Sequence, residues 1–231
     1  DIILFQEITK PQQFEALLHH RFKCLAYDNR GGGHQYVLTC FDTEKFELLD
    51  SSEELFNADR TLYISEKRER LRDVLVTSFK NIETGHILHT FNLHLKAGSN
   101  EDEKRRDQIT SLLKQIETQQ LPNTHTVILG GDFNTYERNI EGNRVNEIVN
   151  ILKFGEQSGF DFFTEHDSPT TLANIQKTFD YLLIDTPKEI SNYTVHETCK
   201  KPEEPKRQFD DYEFFKKTIS DHCPVTSTLT L

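Results

Sequence analysis

Residues 101–119 set Ile109, Leu112, Leu113 and Ile116 at helical spacing with charged residues around the rest of the circumference. This helix lies between two stretches that read as strands, 86–95 and Val127-Ile128-Leu129. A helix with one apolar stripe must bury it against another element, and interleaved strands and helices make that element a sheet. More strands are expected at 1–5, 35–41, 45–49 and 72–79, the second and third as a hairpin or meander pair. Thr84-Gly85 joins 72–79 to 86–95, and Phe179 to Ile184 and Val225 to Leu231 read as the last two strands. Pro11 opens a helix with Phe14, Leu17 and Leu18 on one side, and a further helix is expected over 143–153. The segments 51–70 and 199–217 read as charged surface excursions. Several adjacent strands look antiparallel, so the class is α/β (α+β) with mixed sheets, in a single domain over residues 1–231.

Along 86–95, Ile87, Phe91, Leu93 and Leu95 share one face of the strand, and Asn92 and His94 leave by the other. No stretch approaches the length of a membrane span. The 231 residues carry a net charge of −11, which argues against passive, tight binding to a polyanion but not against meeting a phosphate through a bound cation. Cys24, Cys40, Cys199 and Cys223 match no zinc spacing; disulfides and buried thiols remain equally open. The chain starts inside an apparent strand.

Five local patterns can carry chemistry. Leu129-Gly130-Gly131-Asp132-Phe133-Asn134 brings a carboxylate and an amide to the C-terminal end of a buried strand, where ligands gather in open α/β sheets. Oxygen donors of this kind suit a hard cation, while a plain Asx turn is the structural alternative. The two glycines allow a tight turn and the close approach of a substrate. Ser220-Asp221-His222-Cys223-Pro224 precedes the last strand and sends an acid and a base to opposite sides of an extended chain. Gln6-Glu7 ends the first strand, where Glu7 either joins a cation site or caps the helix at Pro11. Asn92-Leu93-His94-Leu95-Lys96 ends another strand. Asp180 interrupts an apolar strand and needs a partner, such as a histidine it orients. His19, His20, His34, His86, His89, His125, His166 and His196 have no context that singles them out.

In this order the five patterns resemble the endonuclease/exonuclease/phosphatase superfamily, the deoxyribonuclease I-like enzymes, from Ile3 to the C-terminus. Gly131-Asp132-Phe133-Asn134 and Ser220-Asp221-His222 are the most specific pieces. The resemblance implies a four-layer sandwich of two packed mixed β-sheets flanked by helices. It implies a divalent-metal-dependent phosphodiesterase whose Glu7, Asp132 and Asp221 hold Mg²⁺, with Mn²⁺ or Ca²⁺ as alternatives. Asn134 stands beside that ion. His94 and His222 would flank the scissile phosphate, Asp180 would orient His222, and Arg72 and Asn134 would contact phosphoryl oxygens. His222 with Asp180 would activate a water while His94 assists the leaving oxygen, or the two histidines would exchange roles. Lys96, Arg105, Arg106 and Gln108 resemble the "HLK…R..Q" pattern of a bacterial-type subgroup; salt bridges on the helix surface are the expectation for Arg105 and Arg106.

The implied substrate is nucleic acid, DNA before RNA, cut without sequence preference by a monomer. A deadenylase, a phosphoinositide phosphatase, a sphingomyelinase and a catalytically inactive relative are the alternatives. The Arg-rich signature of inositol phosphatases is missing around Phe179-Asp180. The family's metal-site Asn ahead of Gln-Glu would fall before residue 1, so the domain is read as lacking its first strand. No acidic partner for His94 is evident between Gly31 and Phe41. Export is slightly favoured over a cytoplasmic location, with Asn192-Tyr193-Thr194 as a formal glycosylation sequon.

Overall fold

The computed structural model describes residues 1–28, 35–49, 61–62, 71–140, 143–164, 178–186, 188–195, 222 and 225–231. In chain order the elements are β1 (Ile2–Ile8), α1 (Pro11–Glu15), β2 (Phe22–Asp28), β3 (Tyr36–Asp42), β4 (Phe46–Leu48) and β5 (Thr61–Leu62). There follow β6 (Val74–Asn81), β7 (Ile87–His94), α2 (Asp102–Thr118), β8 (Thr126–Asp132), β9 (Glu137–Ile140), β10 (Asn143–Asn146) and α3 (Ile148–Gln157). The chain continues with β11 (Asp180–Asp185), β12 (Ile190–Val195) and β13 (Val225–Leu229). The excursions read at 51–70 and 199–217 fall almost wholly outside the described residues, as do Asp221, Cys199 and Cys223.

A six-stranded mixed sheet runs β11-β8-β7-β6-β4, with β5 also on β6; only β7 and β8 are parallel. That parallel pair is joined through α2, the crossover a parallel connection requires. One face of this sheet is apolar at alternate positions. Val74, Val76, Phe91, Leu93, Val127, Leu129, Tyr181 and Leu183 meet Ile109, Leu112, Leu113 and Ile116 of α2 and Ile148 and Ile151 of α3. The four α2 residues are each 1% exposed or less, and burying such a side chain contributes about 1.5–3 kcal/mol. The opposite face meets the β1-β3-β2 sheet, through Phe41, Phe46, Phe79 and Leu88 with Ile2, Ile128, Leu229 and Leu231 around them. Phe14 of α1 packs edge-on against Phe5 on the outer side of the small sheet, 4.7 Å between centroids. The expected four layers are therefore present: helices, sheet, sheet, helix.

Several local expectations give way to long-range pairing. Strands β3 and β4 do not pair. Asp42 accepts a hydrogen bond from the Glu44 amide and meets Arg21 Nε at 3.2 Å, and across this turn the chain leaves one sheet for the other. Strands β2 and β12 stand where the sequence shows no clear strand signal. The helix expected over 143–153 begins at Ile148, because 143–146 pair with β9 and Asn146 Oδ1 then accepts the Ile148 amide. Helix α1 stops at Glu15 and leaves Leu17 83% exposed, off the apolar side assigned to it.

Cys24 and Cys40 face each other across β2 and β3 and are disulfide-bonded, with Cα atoms 4.0 Å apart. Closing a loop of this size constrains the unfolded chain by about 3 kcal/mol.

Candidate active site

The register of the central sheet sets three chemistry-bearing residues side by side. His94 ends β7, Asp132 ends β8 and Asp180 begins β11, and Asp132 pairs directly with both neighbours. All three leave by the face opposite the α2 core. That side is covered by the small sheet, so they stand at the mouth of the crevice between the two sheets.

Glu7 arrives from the other wall. Strand β1 pairs regularly with β3 as far as Phe5 and resumes at Ile8 with a shift, a β-bulge that leaves Glu7 at φ 60°. A bulge of this kind turns a side chain off the pleat, and a non-glycine residue in the left-handed region carries local strain. The re-aimed carboxylate stands 3.9 Å from His94 Nε2. Glu7 does not cap α1, whose N-terminus has no side-chain cap.

Behind this bulge, Gln6 Nε2 donates to Asn92 Oδ1 at 2.8 Å, and Asn92 Nδ2 donates to the Leu38 carbonyl at 2.7 Å. Asn92 is fully buried and pins the two sheets together just below the site. Gly130 and Gly131 serve the same contact. A Cβ on Gly130 would meet the Leu4 and Leu182 side chains, and one on Gly131, whose φ is 136°, would run into the Leu93 carbonyl. The glycines thus admit strand β1, and at Gly131 above all the Leu93 carbonyl of β7, against β8. The close approach expected of a substrate is made here by the chain itself.

Asp132 accepts the Asn134 amide on Oδ1 at 2.8 Å, an Asx turn that coexists with the chemistry read from the motif. Its Oδ2 lies 3.3 Å from His94 Nε2. Burial, then the Asp180 carboxylate and at a distance Glu7, push its acid up to about 7; His222 and the Asn134 amide oppose that rise. His94 is 3% exposed, and burial, with Arg72 and His222 nearby, pulls it down to about 3. The contact of His94 with Asp132 is therefore between a neutral ring and a carboxyl group, not an ion pair. Asp132 and Glu7 are its acidic neighbours.

Asn134 sits at φ 50°, a conformation Asn tolerates well, and donates from Nδ2 to the Leu95 carbonyl at 3.2 Å. With one N–H of that nitrogen committed, its second N–H and the acceptor Oδ1 are what it has to offer. Arg72 precedes β6 by two residues rather than lying inside a strand. Its Nη2 donates to Gln35 Oε1 at 3.1 Å and its Nη1 to Leu95 O at 3.4 Å. Burial lowers its pKa, and Glu7 and Asp132 pull the other way. On the far side of Asp132, Asp180 Oδ2 stands 2.8 Å from His222 Nδ1, with Phe179 against the imidazole. The side chain of His222 is 28% exposed.

The fold thus brings together Glu7, Arg72, His94, Asp132, Asn134, Asp180 and His222, while Asp221 lies outside the described residues. No group of three or more metal-binding side chains is gathered among the described residues. The donor set still suits a hard cation: burial, and then the neighbouring Asp180, make the Asp132 carboxylate reluctant to ionise, and a cation offsets that penalty.

The model of the Endonuclease/Exonuclease/phosphatase family matches residues 1–222. The chain belongs to that family. It is accordingly a hydrolase of phosphoesters, in a family whose enzymes generally use divalent metals. No match exists among curated proteins. Among solved structures, the mannosyl-6-phosphatase of Bacteroides thetaiotaomicron superposes with a TM-score of 0.68 at 14% identity, over 100% of this chain and 85% of that one. TDP2 of D. rerio, complexed with a single-strand DNA product, gives 0.65 at 16% identity, over 100% and 86%. The human Nocturnin catalytic domain, with a bound sulfate anion, gives 0.64 at 15%, over 100% and 81%. Likeness at these identities is one of fold.

Sequence reasoning named Gln6 and Asn92 without the hydrogen bonds they make across the two sheets, and it missed Gln35. It also placed Arg105 on the surface. Arg105 is 1% exposed, grips Glu147 with Nε and Nη2 at 2.8 and 2.9 Å, and lies over the Tyr136 ring at 5.2 Å. Its spacing one turn before Ile109 was the available signal. Arg106 is exposed, as expected of a helix surface.

Proposed function

We propose that this phosphoesterase is a divalent-metal-dependent phosphodiesterase and that its substrate is DNA, with RNA second, cut without sequence preference. The observation that carries the reading is the pairing of His222 with Asp180 at 2.8 Å on one side of Asp132 and the approach of His94 Nε2 to 3.3 Å on the other. Two imidazoles on either side of one carboxylate suit an in-line displacement at phosphorus. Glu7 and Asp132, joined by Asp221 on the sequence pattern, would hold Mg²⁺, with Mn²⁺ or Ca²⁺ as substitutes. The bound cation supplies charge neutralisation at a non-bridging phosphate oxygen and offsets the chain's net charge of −11 toward a polyanion.

His222, oriented by Asp180 through Nδ1, presents Nε2 to a water and accepts its proton. Neutral His94, opposite, is placed to hydrogen-bond the leaving oxygen. Arg72, and Asn134 through the second N–H of its Nδ2, contact the phosphoryl oxygens. The DNA product bound to D. rerio TDP2 supports the substrate class. A small phosphomonoester is the second reading, favoured by the acidic balance of the chain and by the phosphatase among its structural relatives.

Supercoiled plasmid incubated with Mg²⁺ tests the proposal. Nicking that stops with chelator is expected; no nicking, with phosphate released from a small monoester instead, overturns the nuclease reading. We also assign the chain to an exported or otherwise oxidising compartment, on the strength of the Cys24–Cys40 disulfide. Thiol labelling of protein taken from its native compartment checks this, and a free Cys24 there would reject it.

A further inference from the structure

The Leu95–Lys96 peptide has two sides, and different parts of the molecule hold them. Its carbonyl accepts Asn134 Nδ2 at 3.2 Å and Arg72 Nη1 at 3.4 Å. Its N–H donates to Gln108 Oε1 at 3.1 Å. The same Gln108 side chain donates from Nε2 to the Arg72 carbonyl at 3.4 Å. Gln108 is fully buried on the face of α2 that meets the sheet. One turn earlier, Arg105 Nη1 donates to the Lys96 and Gly98 carbonyls at 2.8 and 2.7 Å and fixes the next stretch of backbone. A buried amide that spends both ends on main chain, one just after β7 and one just before β6, has a positional task, because an apolar side chain of its size would fill the same space without desolvating polar atoms.

We propose that Gln108 is a positioning residue that locks the Leu95–Lys96 peptide plane in the orientation whose carbonyl aligns Asn134 and Arg72. Rotation of this peptide would turn away the acceptor that both side chains share. The inference rests on the phosphoesterase site described above. Gln108 itself touches no substrate.

Two readouts on Gln108→Met test it. With bis-para-nitrophenyl phosphate and Mg²⁺, kcat is expected to fall about 10–100-fold, since a small misplacement of reacting groups has effects of that order. The loss should shrink in an Asn134→Ala background, where only the alignment of Arg72 is left to lose; a fully additive loss overturns the lock. Partial rescue is expected from Gln108→Glu, which keeps the acceptor for the Lys96 amide and loses the donor to the Arg72 carbonyl. The second readout needs no turnover. Hydrogen exchange at the Lys96 backbone amide and at the Asn134 side-chain amide, whose Nδ2 the Leu95 carbonyl holds, should accelerate about tenfold, the equivalent of one hydrogen bond, while Leu112 and Leu113 of α2 keep their protection. Acceleration at Lys96 alone overturns the lock. A wild type that hydrolyses no phosphate ester but shows the coupled exchange would sink the functional reading and leave the lock standing. Should Gln108→Met not fold, Gln108→Asn cannot span both backbone groups and is expected to show the same pattern at smaller size.

Discussion

Strand β7 carries two buried histidines of opposite meaning. His94, at its end, faces the crevice between the sheets; His89, five residues earlier, faces the helix side. Both are nearly inaccessible, and burial holds both far below the ordinary imidazole range, to about 3 and about 4. The neighbours separate them. Around His94 stand Asp132, Glu7 and Arg72, charged groups of both signs brought by β8, by β1 and by the approach to β6. Around His89 stand a hydroxyl and a second histidine, Ser78 Oγ at 2.8 Å from Nδ1 and His125 Nδ1 at 3.0 Å from Nε2. A displaced histidine pKa is thus a sign of burial before it is a sign of function. The convergence of opposite charges on the ring is what marks the working end of this sheet.

The largest effect expected from this contrast is on turnover. His94→Ala should lower kcat by about 10²–10⁴-fold, the usual loss for one partner in general acid–base catalysis, with His222→Ala in the same range. His89→Ala should leave kcat within about threefold of wild type while destabilising the fold by about 1–3 kcal/mol, because Ser78 and His125 lose a buried partner. Urea unfolding and single-substrate kinetics on the two variants decide it. A His94→Ala enzyme with full turnover ends the assignment of the site.

Next in size is the response to acid. His89 titrates near 4 in the folded chain and near 6.5 when unfolded. Between those values the unfolded chain takes up a proton that the folded chain refuses, so stability is complete above pH 6.5 and falls as the pH drops toward 4. The loss over that window is about 3 kcal/mol from this one group. Unfolding midpoints at pH 7 and pH 4.5 should therefore converge in His89→Asn relative to wild type, even though the variant is weaker at pH 7. His94, held lower still, keeps part of the slope in both proteins, and equal slopes would show that His89 is not an acid-sensitive group.

Between the two histidines lies Asn92, which binds the sheets together. Asn92→Leu removes its hydrogen bonds to Gln6 and Leu38 and should cost about 1–3 kcal/mol in stability. Because Gln6 adjoins the bulged Glu7, the affinity for Mg²⁺ should weaken as well, measurable by calorimetry. A stability loss with unchanged Mg²⁺ affinity would make Asn92 a tie with no bearing on Glu7.

What the sequence made legible follows the range of the interactions involved. Asp132, Asn134, His94 and Asp180 lie at ends of strands whose apolar runs are visible locally, so their convergence on one edge could be anticipated. His222 became specific through company, and the structure supplies that company in Asp180. The bulge that aims Glu7 was hidden, because it depends on how β1 meets β3 across some thirty residues. The same holds for the glycines, whose purpose is the approach of Leu4 and Gln6 from another strand. The expected pairing of β3 with β4 failed for a like reason: local alternation shows that a strand exists but not which sheet receives it. His89 and His125 looked bland in sequence and proved to be partners, the first buried and the second partly exposed.

The smallest effect separates two causes of the low pKa of His89. Burial is the larger and the nearby His125 the lesser. His125→Ala removes the second histidine and its hydrogen bond, for about 0.5–1.5 kcal/mol at pH 7. Most of the acid slope should survive, because His89 stays under the helices and still meets Ser78. If instead the slope between pH 7 and 4.5 disappears with His125, repulsion within the histidine pair is the main cause, and the quiet end of β7 is governed by charge as the working end is.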